Sequence, residues 1–170
     1  LLAEAGHTRG FEARLAYIAD RYRGMEGVVA ALAAQLGAVG IQVRPQPLSL
    51  GGFRRAVSEA GEGELFLVSW LISTGDAAAA FNVLVHSPQG GTGRYSGYSD
   101  PEMDRLLERS FHPMPHGDRL EILRAAAEKV HAEVAAIPLY RQHDLWLVSD
   151  RLAFTPRPDR RIRVFEMALR

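Results

Sequence analysis

The residues in this sequence whose types and spacing carry chemistry are those of a binding surface. Trp70 stands in Ser69-Trp70-Leu71-Ile72-Ser73-Thr74-Gly75-Asp76, where an apolar run gives way to small and polar residues. An indole at the end of a strand, followed by a small-residue loop, is a common way for an α/β domain to hold a small molecule. A core tryptophan with its N–H satisfied is the competing reading. Asp76 either offers a carboxylate or, sitting between Gly75 and Ala77, caps a helix. Arg21 and Arg23 in the polar stretch 20–24, and Arg94 beside Tyr95, either clamp an anion or are simply solvated.

Catalytic and metal chemistry find less support. The sequence has no cysteine, which excludes thiolate ligands, disulfides and a cysteine nucleophile. It also has no Gly-x-Ser-x-Gly elbow, P-loop or dinucleotide fingerprint. His112 and His116 are four apart, but the intervening prolines forbid the helix that would align their imidazoles, and no third ligand stands nearby. No cofactor, no metal site and no enzyme activity are expected.

Three strands separated by two helices must position the binding residues. Phe11 and Arg14 to Ile18 form the first strand, and Glu26 to Leu36 a helix with Val28, Val29, Leu32 and Leu36 on one face. Ile41 to Leu48 form a second strand, whose Pro45 and Pro47 suit an edge. Ser49 caps a short helix through Phe53, Ala56 and Val57, and Leu65 to Ile72 read as a buried strand ending on the tryptophan. This β-α-β-α-β order argues for a mainly parallel sheet flanked by helices.

Beyond the sheet, Ala77 to Val85 have helical character, and Asp100-Pro101 opens a helix with Met103, Leu106 and Leu107 inward. Asp118 to Val134 form an amphipathic helix through Leu120, Leu123, Ala127, Val130 and Val134. Residues 137–140, 144–148 and 162–169 read as strands. Leu1 to Ala5 read as the end of a helix stopped by Gly6, as in a piece of a longer protein.

Composition excludes several function classes. The chain has 170 residues, 47% of them hydrophobic and 24% charged, enough for one sizeable core. Lys plus Arg and Asp plus Glu both total 20, so no electrostatic footprint for nucleic acid or an anionic membrane is visible. No apolar run reaches the ~18 residues of a membrane span.

Set out in this order, the chain resembles the C-terminal portion of the family 5 extracellular solute-binding proteins of ABC transporters, the peptide-, dipeptide- and nickel-binding group. The resemblance rests on Leu1-Leu2-Ala3-Glu4-Ala5-Gly6 with Phe11-Glu12, and on residues 33–43, Ala-Ala-Gln-Leu-Gly-Ala-Val-Gly-Ile-Gln-Val. It continues in Ser69-Trp70, in Ser96-Gly97-Tyr98-Ser99-Asp100-Pro101-Glu102-Met103-Asp104-Arg105-Leu106-Leu107, and in Ala136-Ile137-Pro138-Leu139-Tyr140.

The resemblance implies a periplasmic-binding-protein-like, type II α/β lobe over residues 1–140. Residues 141–170 would then be a crossover and C-terminal segment returning to the other lobe, with a hinge near Tyr140. It implies capture of a small polar or peptide solute between lobes, ABC permease subunits as partners, and an extracytoplasmic location. Trp70, Leu50 and Arg21 would line the pocket, while Ser73, Asp76 and Arg94 would set specificity. Arg21-Tyr22 would match an Arg-Tyr pair that meets a ligand carboxylate in dipeptide-binding members. The chain departs from the family pattern in having Leu50 for a tryptophan, Arg94 for an asparagine, and Ser73 for an aspartate that pairs with the ligand's amino group. A serine supplies no charge. The alternative expectation is the solute-sensing domain of a cytoplasmic transcriptional regulator built on the same fold.

Overall fold

The computed structural model describes residues 1–59, 64–87 and 98–170. The chain divides into two compact units, one built on Leu1–Ser69 and the other on Ser99–Arg170 together with the stretch that begins at Trp70.

The first unit opens with a single helical turn. Ala5 N–H donates to the Leu1 carbonyl, and Gly6, at φ 85°, closes the turn as His7 N–H reaches back to the Leu2 carbonyl. Strand β1 (Phe11–Ile18), helix α1 (Met25–Ala38), strand β2 (Ile41–Leu48), helix α2 (Leu50–Ser58) and strand β3 (Glu64–Leu67) follow. The sheet order is β2-β1-β3 and both pairings are parallel, as the alternation of strands and helices predicts.

Alternation along the central strand builds a core on each face. Leu15 and Tyr17 pack with Met25 and Val29 of α1, with Leu65 and Leu67 of β3 joining them. Ala16 packs with Phe53 and Val57 of α2, with Phe66 and Val68 beside them. Phe53 is completely buried and meets Phe66 edge-on at 6.0 Å between centroids.

Helix α2 starts where Ser49 Oγ accepts the Gly52 N–H at 3.1 Å. Where β1 and β2 begin, Gly10 (φ 73°) lies against Gly40, and a Cβ on Gly10 would stand 1.9 Å from the Gly40 oxygen. Strand β2 is an edge, as its prolines require. Phe11 N–H donates to the Gly40 carbonyl and Ala19 N–H to that of Leu48, so the even-numbered groups of β2 face β1. Pro45 and Pro47 therefore sit at positions whose backbone faces outward.

The third strand is shorter than the apolar run implied. Its pairing ends at Tyr17↔Leu67, one residue before the end of β1, so most of the expected strand from Leu65 to Ile72 runs past the partner that could pair with it. Trp70, Leu71 and Ile72 lie beyond it and are 39–42% exposed.

In the second unit, helices α3 (Ala77–Leu84), α4 (Pro101–Ser110) and α5 (His116–Ala132) pack through Ala78, Ala80, Met103, Leu107, Ile122, Leu123 and Ala126. Asp100 caps α4 by accepting the Met103 N–H at 2.6 Å, with Pro101 in the first turn. The face of α5 is rotated from the expected one. Ile122, Leu123 and Ala126 are buried, whereas Leu120, Ala127 and Val134 are exposed.

The strands expected over 137–140 and 144–148 do not form. The one expected over 162–169 is replaced by a 3-10 turn, Val164–Glu166, and the short strand β5 (Ala168–Leu169), which pairs antiparallel with β4 (Leu152–Ala153). Arg157 ties this closing loop together through Asp159 and Glu166. Among the described residues, no helix is long and apolar enough to cross a membrane.

Candidate functional site

In this parallel sheet, ordered 2-1-3, α1 leaves β1 on one face and α2 leads into β3 on the other, and open α/β sheets bind ligands at the carboxyl ends of their strands where the order reverses. Here a small depression sits at that point, lined by Ile18, Arg21, Tyr22, Met25, Leu67, Val68 and Ser69. Its volume is about 10 Å³, room for one water.

Local backbone geometry shapes its rim. Asp20 (φ 56°) turns the chain out of β1, and Gly24 (φ 82°) turns it into α1, where the Met25 N–H donates to the Tyr22 carbonyl. Arg21 is exposed, with its guanidinium 5.5 Å from the Tyr22 ring centre and its Nε donating to the Tyr22 hydroxyl at 3.3 Å. Leu50, the first residue of α2, follows the carboxyl end of β2 and is half exposed. Arg21 and Leu50 thus share one edge of the sheet, although Leu50 is not part of the depression's lining.

Trp70, Ser73 and Asp76 fall in the second unit, on the segment that leads into α3. Ser73 N–H donates to the Leu71 carbonyl, Gly75 N–H to that of Ile72, and Asp76 N–H to Thr74 Oγ1, which folds 71–76 into a tight turn. Ser73 is exposed on it. Asp76 is the helix cap: its Oδ1 accepts the Ala78 N–H at 2.9 Å. Its Oδ2 lies 2.8 Å from an Arg119 guanidinium nitrogen. Arg119 also donates from Nε to the Ser110 carbonyl at the end of α4, at 2.8 Å. Nothing local in the sequence marks this partnership, because Arg119 belongs to a distant helix. Arg94 lies outside the described residues.

A second cluster joins α3 to α4. His86, 3% exposed, has Nδ1 3.1 Å from the Ser87 carbonyl and 3.6 Å from Asp104 Oδ1, which also accepts the Ser87 N–H at 2.9 Å. Ser87 and Ser99 hydroxyls share a hydrogen bond at 2.9 Å. With Nδ1 facing a backbone carbonyl and Ser87 Oγ bonded to Ser99, the set clasps two helices and does not present an activated nucleophile. Among the described residues, no group of three or more His, Cys, Asp or Glu side chains converges to hold a metal ion. A broad open depression on α4 and α5, lined by Leu106, Arg109, Met114 and Asp118 among others, includes none of the residues assigned to solute binding.

Solved structures share this architecture. HbpA2 from Haemophilus parasuis superposes over 99% of the chain and 34% of its own, with a TM-score of 0.77 and 20% identity. The periplasmic binding protein DppA from Helicobacter pylori, an ABC transporter-associated protein in complex with the peptide STSA, matches 79% of the chain at a TM-score of 0.64 and 22% identity. The fold is that of the family 5 periplasmic solute-binding proteins.

NikA from Staphylococcus aureus, in complex with Ni(L-His)2, shares it at a TM-score of 0.65 and 16% identity over 79% of the chain. The chain spans 26% of DppA, 28% of NikA and 34% of HbpA2, between about a quarter and a third of each of these structures. No protein-family model and no curated protein matches the sequence.

Proposed function

We propose that this chain is part of the substrate-binding component of an ABC importer, which captures a small polar solute outside the cytoplasm and delivers it to a membrane permease. The observation that carries the reading is the depression at the carboxyl ends of β1 and β3, where the topology opens the sheet and where Arg21, Tyr22 and Ser69 gather. The neighbours crystallised with a peptide and with a nickel–histidine complex support the class of activity, not the identity of the solute.

In this reading residues 1–140 form one wall of a cleft, and 141–170 return toward a second lobe. The cleft closes about a hinge near Tyr140, and the solute drives closure by the difference in its affinity for the closed and open states. Arg21 lines the depression and Leu50 stands at the same edge of the sheet; Trp70, 39% exposed beyond the end of β3, offers a flat apolar face, and Ser73, Asp76 and Arg94 are assigned to specificity.

The test is thermal unfolding of the full-length protein against short peptides, nickel–histidine and small carboxylates. A cognate solute raises the midpoint with concentration. In the same protein Trp70→Ala weakens that solute about tenfold, some 1.4 kcal/mol. Unchanged affinity in the variant removes Trp70 from the site, and a flat response across the panel removes the importer reading.

A further inference from the structure

Of the residues assigned to solute recognition, Asp76 is the one carboxylate, and both of its oxygens are occupied inside its own unit. Oδ1 holds the first turn of α3 through the Ala78 N–H, and Oδ2 faces Arg119. That arginine is itself fixed: it is 24% exposed and its Nε is bonded to the Ser110 carbonyl. A cation placed at the end of α4 is favoured there by the helix dipole, which holds the guanidinium in position whether or not a solute is present.

A carboxylate paired in this way presents little net charge to a third group. An ammonium brought out of water needs a counter-charge of its own, and without one its desolvation opposes binding. Ser73, on the same turn and exposed, offers a hydroxyl and no charge.

Building on the solute-binding reading, we propose that Arg119 is a specificity-determining residue: by holding Asp76 in an internal ion pair it withholds the carboxylate from the solute, so that the recognised class is one indifferent to a free ammonium group. Acylated amines, neutral solutes and anions fall in this class. Solutes whose affinity depends on an unblocked amino terminus fall outside it. Arg119 acts through Asp76 and is a positioning residue.

The experiment compares trialanine with N-acetyl-trialanine, and glycerol 3-phosphate with ethanolamine phosphate, on the full-length protein by calorimetry. The members of a pair that binds are expected to agree within about twofold. A tenfold or greater preference of the wild type for the ammonium-bearing member overturns the proposal and leaves solute binding standing. Binding by neither pair, together with a flat response to the wider panel, defeats both readings at once.

Arg119→Gln releases Asp76 and is expected to shift the ratio at least fivefold toward the free amine, while Arg119→Lys keeps the wild-type ratio. A ratio unmoved by Arg119→Gln in a protein with wild-type circular dichroism overturns the role given to Arg119. Should that variant not fold, the wild-type comparison still decides the matter.

Discussion

Gly10 shows how narrowly a single residue is specified. Its φ of 73° and its contact with Gly40 leave no space for a side chain, since a Cβ would come within 1.9 Å of a backbone oxygen. Gly10→Ala must therefore strain the backbone and displace the start of β1 from that of β2. A loss of more than about 1 kcal/mol is expected in urea unfolding.

Asp159 gives a residue-scale pH prediction. Its hydrogen bonds from Arg157 and from the Arg161 N–H lower its pKa from 3.8 to about 2. A carboxyl depressed in the folded state contributes stability above its unfolded value and loses it as pH falls from about 4 toward 2. NMR titration should show the Asp159 carboxyl protonating near pH 2. Titration at an ordinary aspartate value would show that the Arg157 contacts do not persist in solution. At this scale the sequence was legible wherever the partner is local. Ser49, Asp76 and Asp100 cap helices through residues two or three ahead. Arg119 was not, because periodicity carries no information about which distant carboxylate an arginine meets.

At the scale of elements, legibility followed the availability of partners. The limits of β2 were readable because Gly40 and Ser49 bracket it and its prolines tolerate an outer position. The strand patterns over 137–140 and 144–148 are equally apolar, yet no described strand pairs with them, and alternation alone forms no ladder. The over-extension of β3 has the same origin. The misjudged face of α5 arose because a spacing through Leu120, Leu123 and Ala127 fits a stripe as well as the true contact through Ile122, Leu123 and Ala126.

Helix α2 supplies the prediction at this scale. It is short and rich in glycine, so its hold on the sheet rests on Phe53 and Val57. Phe53→Ala should cost about 3–5 kcal/mol in chemical denaturation. A cost below about 1 kcal/mol would mean that the α2 face of the sheet is not a packed core.

For the molecule as a whole, apolar exposure is concentrated toward the C-terminus. Val134, Ile137, Tyr140, Leu145, Leu147, Val164 and Phe165 are all well exposed. The amides of Ile137, Leu145 and Leu147, which lie outside every described helix and strand, should exchange within seconds, while those of Leu15 and Tyr17 in β1 remain protected far longer. Equal protection of Leu145 and Leu147 with Leu15 would contradict the burial pattern. The parallel sheet was readable from the order of elements. The surroundings of the residues singled out for binding were not, since Trp70 stands outside the depression's lining and the solved structures sharing this fold are about three times as long as the chain.

The outward-facing prolines of β2 bear on how these molecules behave in concentrated solution. An incoming strand needs amide hydrogens along the rim it joins, and at Pro45 and Pro47 that rim has none. Growth of the sheet from this side, whether by a neighbouring copy or by fibril-like stacking, is blocked at two successive rungs.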